Sequence, residues 1–374
     1  MKVLHLVAIP QLTGAAEPTW DMVRALRNLD VQVDLRIDTK RQGNLHELLA
    51  QSGEWSADDL VLSTKSDPTE VLLDLGRLRE LVRSYDLVHT HLSHDHTLAI
   101  LACLGEDGPP IVRTIHAERG LNGNALKAWL YERTAAFTVA SEADRQQLGE
   151  AFPEVSDRTL VLPGAVDATG YRPDPAARAR VRGVLGVGDE VLIGCVARFQ
   201  AGRRHEVMLD ALSMARRQAP QLRLVLIGHG ELEDAIRTRA AAPDVAGAVL
   251  FPGYRRHDLP EYLAALDAAL WLVPGNDATS RAVLQAMATE LPVIGGSQGA
   301  IAEVLDDGQS GLLVHPEEPA DVARAMVHLA SQADLRSKMG VRGRTKVLAQ
   351  HTQERRGQRL LGLYRSIRLV PPRL

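Results

Sequence analysis

Short apolar runs alternate along the chain with stretches whose apolar residues recur at helical spacing. Runs at 3–9, 31–37, 87–91, 111–116, 137–140 and 160–162 form one series. A second series occupies 191–197, 222–227, 249–251, 269–273, 292–294 and 311–314. Between most of them lie amphipathic patterns, for example at 20–29, 69–82, 207–217, 281–288 and 320–329. Continuous Val/Ile/Leu strands bounded by helices mark parallel sheets covered on both faces. The pattern therefore predicts a doubly wound α/β architecture that occurs twice. The proline-bearing YRPDPAA at 171–177 is the clear punctuation between the two series. It places one domain at 1–170 and a second at 171–350. The helical stretch 353–367 follows the last strand, and the segment 351–374 is expected to cross back to the first domain.

At 374 residues the chain suits two cores rather than one. A hydrophobic share of 45% with 24% charged residues is globular and leaves no place for a disordered chain. The N-terminal MKVLHLVAIPQL reads as a first strand and not as a signal peptide, and no run is long enough to span a membrane. Cys103 and Cys195 lie far apart in apolar runs, which reads as free buried thiols in a reducing cytoplasm. The net charge of −4 gives no reason to expect a nucleic-acid partner. Its distribution says more: residues 1–167 carry 16 Lys/Arg against 25 Asp/Glu, and residues 168–374 carry 27 against 22. An anionic ligand would favour the second half. Six arginines fall between 355 and 373, either on a solvated helix face or in weak peripheral contact with a membrane surface.

Candidate chemistry gathers at the ends of the strand-like runs. Gly14, after the first run, opens an amphipathic helix whose free N–H groups suit phosphate or sugar hydroxyls. Two of the three glycines of a dinucleotide fingerprint are missing there, which argues against a nicotinamide-dependent oxidoreductase. His116 ends the run at 111–116, where it can hydrogen-bond a sugar hydroxyl or polarise a leaving group. His89, His91, His94 and His96 have a spacing that invites zinc, yet no Cys or carboxylate set apart from Asp95 closes a tetrahedral site. Hydrogen bonding at a cleft edge, or simple exposure, is the reading of choice for these four, with no metal.

The second half carries the stronger signal. Arg198 and Arg203, five residues apart in a strand-to-helix loop, can grip a diphosphate from two sides. Gly228 allows close approach at the next strand end. Asp277, Thr279 and Ser280 open the helix at 282–288, with Thr279 or Ser280 as its cap and Gln285 about two turns along. The glycine-rich stretch from 295 leads to Glu303.

With these stretches in place, the sequence resembles glycosyltransferase family 4 over nearly its whole length, most specifically over 190–330. The first half contributes DLVHTH at 86–91, RTIH at 113–116, FTVASEADRQQL at 137–148 and VLPGAVD at 161–167. The second contributes VARFQAGRR at 196–204, IGHGELEDAI at 227–236, FPGY at 251–254, ATSRAVLQAMA at 278–288 and GAIAEVLDDGQSGLLV at 299–314. The resemblance implies the GT-B architecture, two Rossmann-like parallel-sheet domains facing a cleft. It implies transfer of a sugar from a nucleoside diphosphate such as UDP to a sugar or lipid-linked acceptor, with retention and with no metal or further cofactor. Polysaccharide or glycoconjugate synthesis in the cytoplasm is the matching setting.

By the same resemblance, Arg198 and Arg203 stand where the family binds the donor diphosphate. Asp277 and Gln285 stand at its two sugar- and ribose-contacting acidic positions, Glu303 in its Gly-x-x-x-Glu loop, His116 at its active-site histidine and Gly14 in its first glycine loop. This chain departs from the pattern at Ala15, Asp277, Gln285, Glu290 and Ala300. Two other readings fit parts of this set: a non-catalytic sugar-nucleotide-binding partner of a transferase, and a nucleotide-sugar epimerase of the same architecture.

Overall fold

The computed structural model describes residues 1–11, 14–38, 43–51, 60–62, 67–105, 108–116, 123–275 and 277–368. The chain divides into two compact units, Met1–Gly164 with 276–278 and Gln353–Leu374, and Ala165–Gly275 with Thr279–Thr352. Each is built on one parallel six-stranded sheet.

In the first unit the strands are β1 (Lys2–Val7), β2 (Gln32–Ile37), β3 (Leu87–Thr90), β4 (Ile111–Thr114), β5 (Ala136–Val139) and β6 (Thr159–Val161). Their order across the sheet is β2-β1-β3-β4-β5-β6. In the second unit they are β7 (Val191–Val196), β8 (Leu222–Ile227), β9 (Val249–Leu250), β10 (Ala268–Trp271), β11 (Val293–Gly296) and β12 (Gly311–Val314). Their order is β12-β11-β10-β7-β8-β9. Each run read from the sequence is one of these strands, and the doubly wound architecture is present twice.

Burial explains the continuous apolar pattern. On β1, Val3 and Val7 pack on one face with Trp20 and Leu26, while Leu4 and Leu6 pack on the other with Leu98 and Phe137. Neither face has room for water, so alternation is lost. The exception on β1 is His5, which is fully buried.

The helix Gln353–Arg368 belongs to the first unit and lies along the helix Ala16–Arg27. A Cβ on Gly357 would sit 3.0 Å from Ala25 Cβ, so glycine lets the two helices approach closely. Leu360 and Tyr364 of this helix are buried in the first unit's core. Among the described residues no helix is long and apolar enough to cross a membrane. Cys195 is buried and Cys103 half-buried, both as free thiols.

Four helix starts follow their local chemistry, and one helix end carries backbone strain. Asp67, Asn124, Ser141 and Asp174 each cap a helix by accepting a hydrogen bond from a first-turn N–H. Glu290, which follows the helix Asp277–Ala288, adopts φ +63°, a left-handed conformation that suits glycine. Its carbonyl packs so tightly on the helix Ala333–Gln350 that a Cβ on Gly340 would lie 1.9 Å away. The turn is fixed, and Glu290 bears the strain with a contact to Arg344 at 3.9 Å as its compensation. Glu290→Gly should therefore stabilise the protein by about 1 kcal/mol. Urea denaturation compares the two; a lower stability would mean that the Arg344 contact outweighs the backbone strain.

Candidate functional site

In the second unit β7 enters the sheet first, with β8 on one side and β10 on the other, so chain connections leave in opposite directions at the β7/β10 boundary. Loops diverge at such a switch point, and ligands bind beyond its strand ends. The loop after β7 carries exposed Arg198 and half-buried Arg203. Among the described residues neither guanidinium has a hydrogen bond or ion pair. Arg203 lies close enough to lower the pKa of His205, though burial is the larger cause of its fall to about 4.

The residue between them and the following helix does structural work that the sequence reading missed. Arg204 takes φ +59°, and its Nη1 donates to the Leu272 carbonyl at 2.5 Å. Its Nη2 pairs with Glu317 at 2.7 Å. One side chain thus ties the loop after β7 to the end of β10. The helix His205–Arg216 that follows has no side-chain cap, so its first-turn N–H groups are available to an anion.

Gly228 ends β8, but its nearest neighbour is backbone. A Cβ there would lie 2.0 Å from the Ala197 carbonyl oxygen, and Phe199 N donates to the His229 carbonyl at 3.0 Å. This glycine lets the two loops meet.

The helix Asp277–Ala288 begins earlier than the sequence suggested. Residue 276 and the side chains of Asp277, Ala278 and Thr279 lie outside the described residues. Ser280 is buried within the first turn and is not a cap, because the helix has already started at Asp277. Gln285 is half-buried on the same helix. Glu303 is exposed on the helix Gly299–Val304, whose backbone is stitched to the loop after β10 by Ile301 N donating to the Pro274 carbonyl at 3.1 Å.

In the first unit the switch point lies between β1 and β3. Gly14 takes φ +57° in the loop after β1, with open space where a Cβ would be. Leu12 and Thr13, beside it in the expected loop, lie outside the described residues. His116, two residues past β4, is half-buried, and its Nε2 is hydrogen-bonded to His91 Nδ1 at 3.1 Å.

His91 leads inward. Its Nε2 is hydrogen-bonded to His5 Nδ1 at 3.0 Å, and His5 Nε2 to the Tyr364 hydroxyl at 3.2 Å. The same hydroxyl meets His89 Nδ1 at 2.5 Å, and His89 Nε2 meets Thr114 Oγ1 at 2.7 Å. His5 and His89 come together because they are directly opposed on paired parallel strands, and His91 follows His89 by two. The other two histidines of the sequence cluster do not join them. His96 binds Thr134 Oγ1 at 2.8 Å, and His94 is half-buried on the helix Ser93–Ala102. Simple exposure is therefore wrong for His89, His91 and His96, which are all buried.

Beside this row, buried Asp95 is held by Arg113 at 3.4 Å and accepts backbone N–H bonds from Ala8, His91 and Leu92. The carboxylate thereby fixes the end of β3 against the loop after β1.

Comparison with known proteins follows this division. A model described as Glycosyltransferase Family 4 matches residues 12–169, and one described as Glycosyl transferases group 1 matches 190–332. The chain belongs to glycosyltransferase family 4. It is 27% identical over 324 residues to a GDP-mannose-dependent alpha-(1-6)-phosphatidylinositol monomannoside mannosyltransferase of Mycolicibacterium smegmatis, covering 79% of this chain and 82% of that protein. It is 28% identical to a D-inositol 3-phosphate glycosyltransferase of Stackebrandtia nassauensis over 76% of this chain and 65% of that one. The structure of Anabaena HepE in complex with UDP superposes with a TM-score of 0.83 at 18% identity, over 98% of this chain and all of that one. The GT-B fold expected of the family is the fold observed.

In this family-4 chain the buried histidines dominate the electrostatics of the first unit. Burial, aided by the charge of Arg27, holds His5 down at about 3. Burial, then the neighbouring histidines and Arg113, holds His89 and His91 well below the ordinary value, and burial does the same to His96. Their folded pKa values lie under the unfolded 6.5, so the stability they contribute is complete above that pH and is lost as pH falls through it. Asp95 acts in the opposite sense, because burial pushes its carboxyl up to about 7. Its contribution is lost as pH rises from the ordinary carboxylate range to 7, and so offsets part of the acid loss. Between pH 7 and 5 the histidines outnumber it, with His5 alone worth about 2 kcal/mol at pH 5. Urea titrations at the two pH values should show a lower unfolding free energy at pH 5; a gain on acidification would contradict the assignment of neutral buried rings.

Proposed function

We propose that this chain moves a sugar from a nucleoside-diphosphate sugar to a hydroxyl of a sugar or lipid-linked acceptor, with retention at the anomeric carbon and without a metal. The setting is the synthesis of a cell-envelope polysaccharide or glycoconjugate. One observation carries the reading: Arg198 and Arg203 stand without a protein partner, among the described residues, on the loop that leaves the sheet at its switch point. An unpaired guanidinium keeps its fork of donors for a ligand, and a diphosphate offers matching oxygens. The uncapped start of the helix His205–Arg216 adds backbone donors of the same sign.

The chemistry follows from that charge. As the bond between the anomeric carbon and the diphosphate breaks, negative charge grows on the leaving oxygen. Fixed cations and N–H groups stabilise it without reorganising. A front-face route, in which the departing phosphate helps to take the acceptor proton, needs no nucleophilic carboxylate. Gln285 would hydrogen-bond the ribose through its amide, Asp277 a sugar hydroxyl, and His116 would serve the transfer at its strand end. The Mycolicibacterium relative is named for GDP-mannose and HepE was crystallised with UDP, so both bases are candidates for this donor.

Arg203→Ala should weaken binding of UDP or GDP by about 1.5–3 kcal/mol, the range for hydrogen bonds to charged groups. Isothermal titration calorimetry measures it, and unchanged affinity for both nucleotides removes the diphosphate assignment. His116→Ala should lower kcat for transfer far more than nucleotide affinity; an equal loss of both makes it a general binding residue. Thermal melting against UDP, GDP and ADP identifies the base, since selective binding raises the midpoint.

A further inference from the structure

The row of rings behind His116 is a closed account. His91, His5 and His89 each have two ring nitrogens, and all six are hydrogen-bonded to protein atoms. A neutral imidazole has one N–H and one lone pair, so each ring must donate on one side and accept on the other. The Tyr364 hydroxyl, set between His5 and His89, has one proton and two lone pairs, and keeps its buried proton paired only by donating to one ring and accepting from the other. Protons along such a chain cannot be assigned one at a time.

Working through the partners leaves two arrangements. If His116 Nε2–H donates to His91 Nδ1, then His91 donates from Nε2 to His5, His5 from Nε2 to Tyr364, Tyr364 to His89 Nδ1, and His89 from Nε2 to Thr114. Every ring is then the Nε2–H tautomer. If Thr114 donates to His89 Nε2, the whole series reverses and every ring is the Nδ1–H tautomer. Thr114 is itself anchored to Thr138 Oγ1 at 2.6 Å. Any mixed set would place two lone pairs or two protons face to face, or leave the buried Tyr364 proton without an acceptor, at about 1–3 kcal/mol for each polar atom left unpaired.

We propose that His5, His89, His91 and Tyr364 are positioning residues that hold His116 in one tautomer, all four histidines sharing the same one. The shared sense decides whether His116 Nδ1 carries a proton or a lone pair, and with it the part that His116 takes in the transfer. This rests on the reading that His116 serves the transfer. A cation is the competing occupant, because one nitrogen from each of His5, His89 and His91 lies within 4.8 Å of the others. The hydrogen bonds favour the chain: a metal would have to displace the proton shared by His5 Nδ1 and His91 Nε2, which are already 3.0 Å apart.

Long-range proton–nitrogen correlation spectra of the full chain labelled with ¹⁵N-histidine, recorded above pH 7, test this. His5, His89, His91 and His116 should report a single common tautomer, and a mixed or averaged set overturns the proposal. One equivalent of Zn²⁺ should leave the spectra unchanged; loss of ring protons on adding it overturns the proposal in favour of a metal site. Tyr364→Phe, which keeps the ring and removes the link, should turn His116 into a tautomer mixture. It should lower kcat by about tenfold, a part of the roughly 10²–10⁴ that a positioned proton-handling group supplies, with nucleotide affinity unchanged. Thr114→Val should act in the same direction and Thr114→Ser should restore the wild-type spectrum, which keeps the test open if the tyrosine variant does not fold. A folded Tyr364→Phe or Thr114→Val protein with an unaltered His116 spectrum overturns the proposal. Because the spectra need no turnover, an inactive wild type removes the transfer reading alone, and mixed tautomers in an active enzyme remove this one alone.

Discussion

Parallel pairing of strands is the constraint on which the other features rest. Strands that run the same way end on the same edge, so the loops that follow them share one side of the sheet. In both sheets the strand entered first, β1 or β7, lies inside the order, and its neighbours lead away on opposite sides. The loops on either side of it have no reason to pack on each other and leave space for a ligand. Gly14 and His116 in the first unit, and Arg198, Arg203 and the helix carrying Gln285 in the second, follow strands at or beside these two points. Where two loops do have to meet, the chain makes the contact explicitly. Gly228 removes a side chain against the Ala197 carbonyl, and Arg204 bridges the loop after β7 to the Leu272 carbonyl.

The first unit buries an unusual load of polar groups. A histidine in an apolar strand costs free energy unless both ring nitrogens find partners. His5 and His89 meet that condition because the β1–β3 register sets them side by side, and because the helix Gln353–Arg368 brings the Tyr364 hydroxyl to both. Asp95 and Arg113 meet it differently, by pairing with each other and by caging the carboxylate in backbone N–H groups. A pair of this kind is poor evidence of net stabilisation, since desolvation of both charges opposes their attraction. Its evident effect is geometric: it fixes the strand end from which His91 starts the row to His116.

These cases show where sequence reasoning reached and where it stopped. Strand runs were legible because two-sided burial demands uninterrupted apolar residues, and the carriers of charge were legible because loops after such runs project from one edge. Helix starts were less so: the helix at Asp277 opens before its Thr279-Ser280 pair, so the cap assignment failed. The four-histidine cluster between 89 and 96 drew attention through its spacing in sequence. Two of its members belong to a real network, but the other two are separated from it by the turn into the helix Ser93–Ala102. The missing members, His5 and Tyr364, are 359 residues apart. Only the sheet order, which sets β1 beside β3, could have joined His5 to His89, and nothing local announces Tyr364. At Gly228 the sequence showed a glycine at a strand end, but not the Ala197 carbonyl against which it packs.

The departures from the family pattern separate into two kinds once the helix Asp277–Ala288 is seen whole. At its far end Glu290 occupies a left-handed position with its carbonyl pressed against Gly340. That turn is held by packing between two helices of the same unit, so the strain there bears on stability and is remote from the strand ends. Gln285 differs from an acidic residue in charge and keeps the capacity to donate and accept hydrogen bonds, and it sits mid-helix on a rigid element. The change at 285 therefore alters charge and leaves hydrogen-bonding capacity in place, whereas the one at 290 alters the backbone.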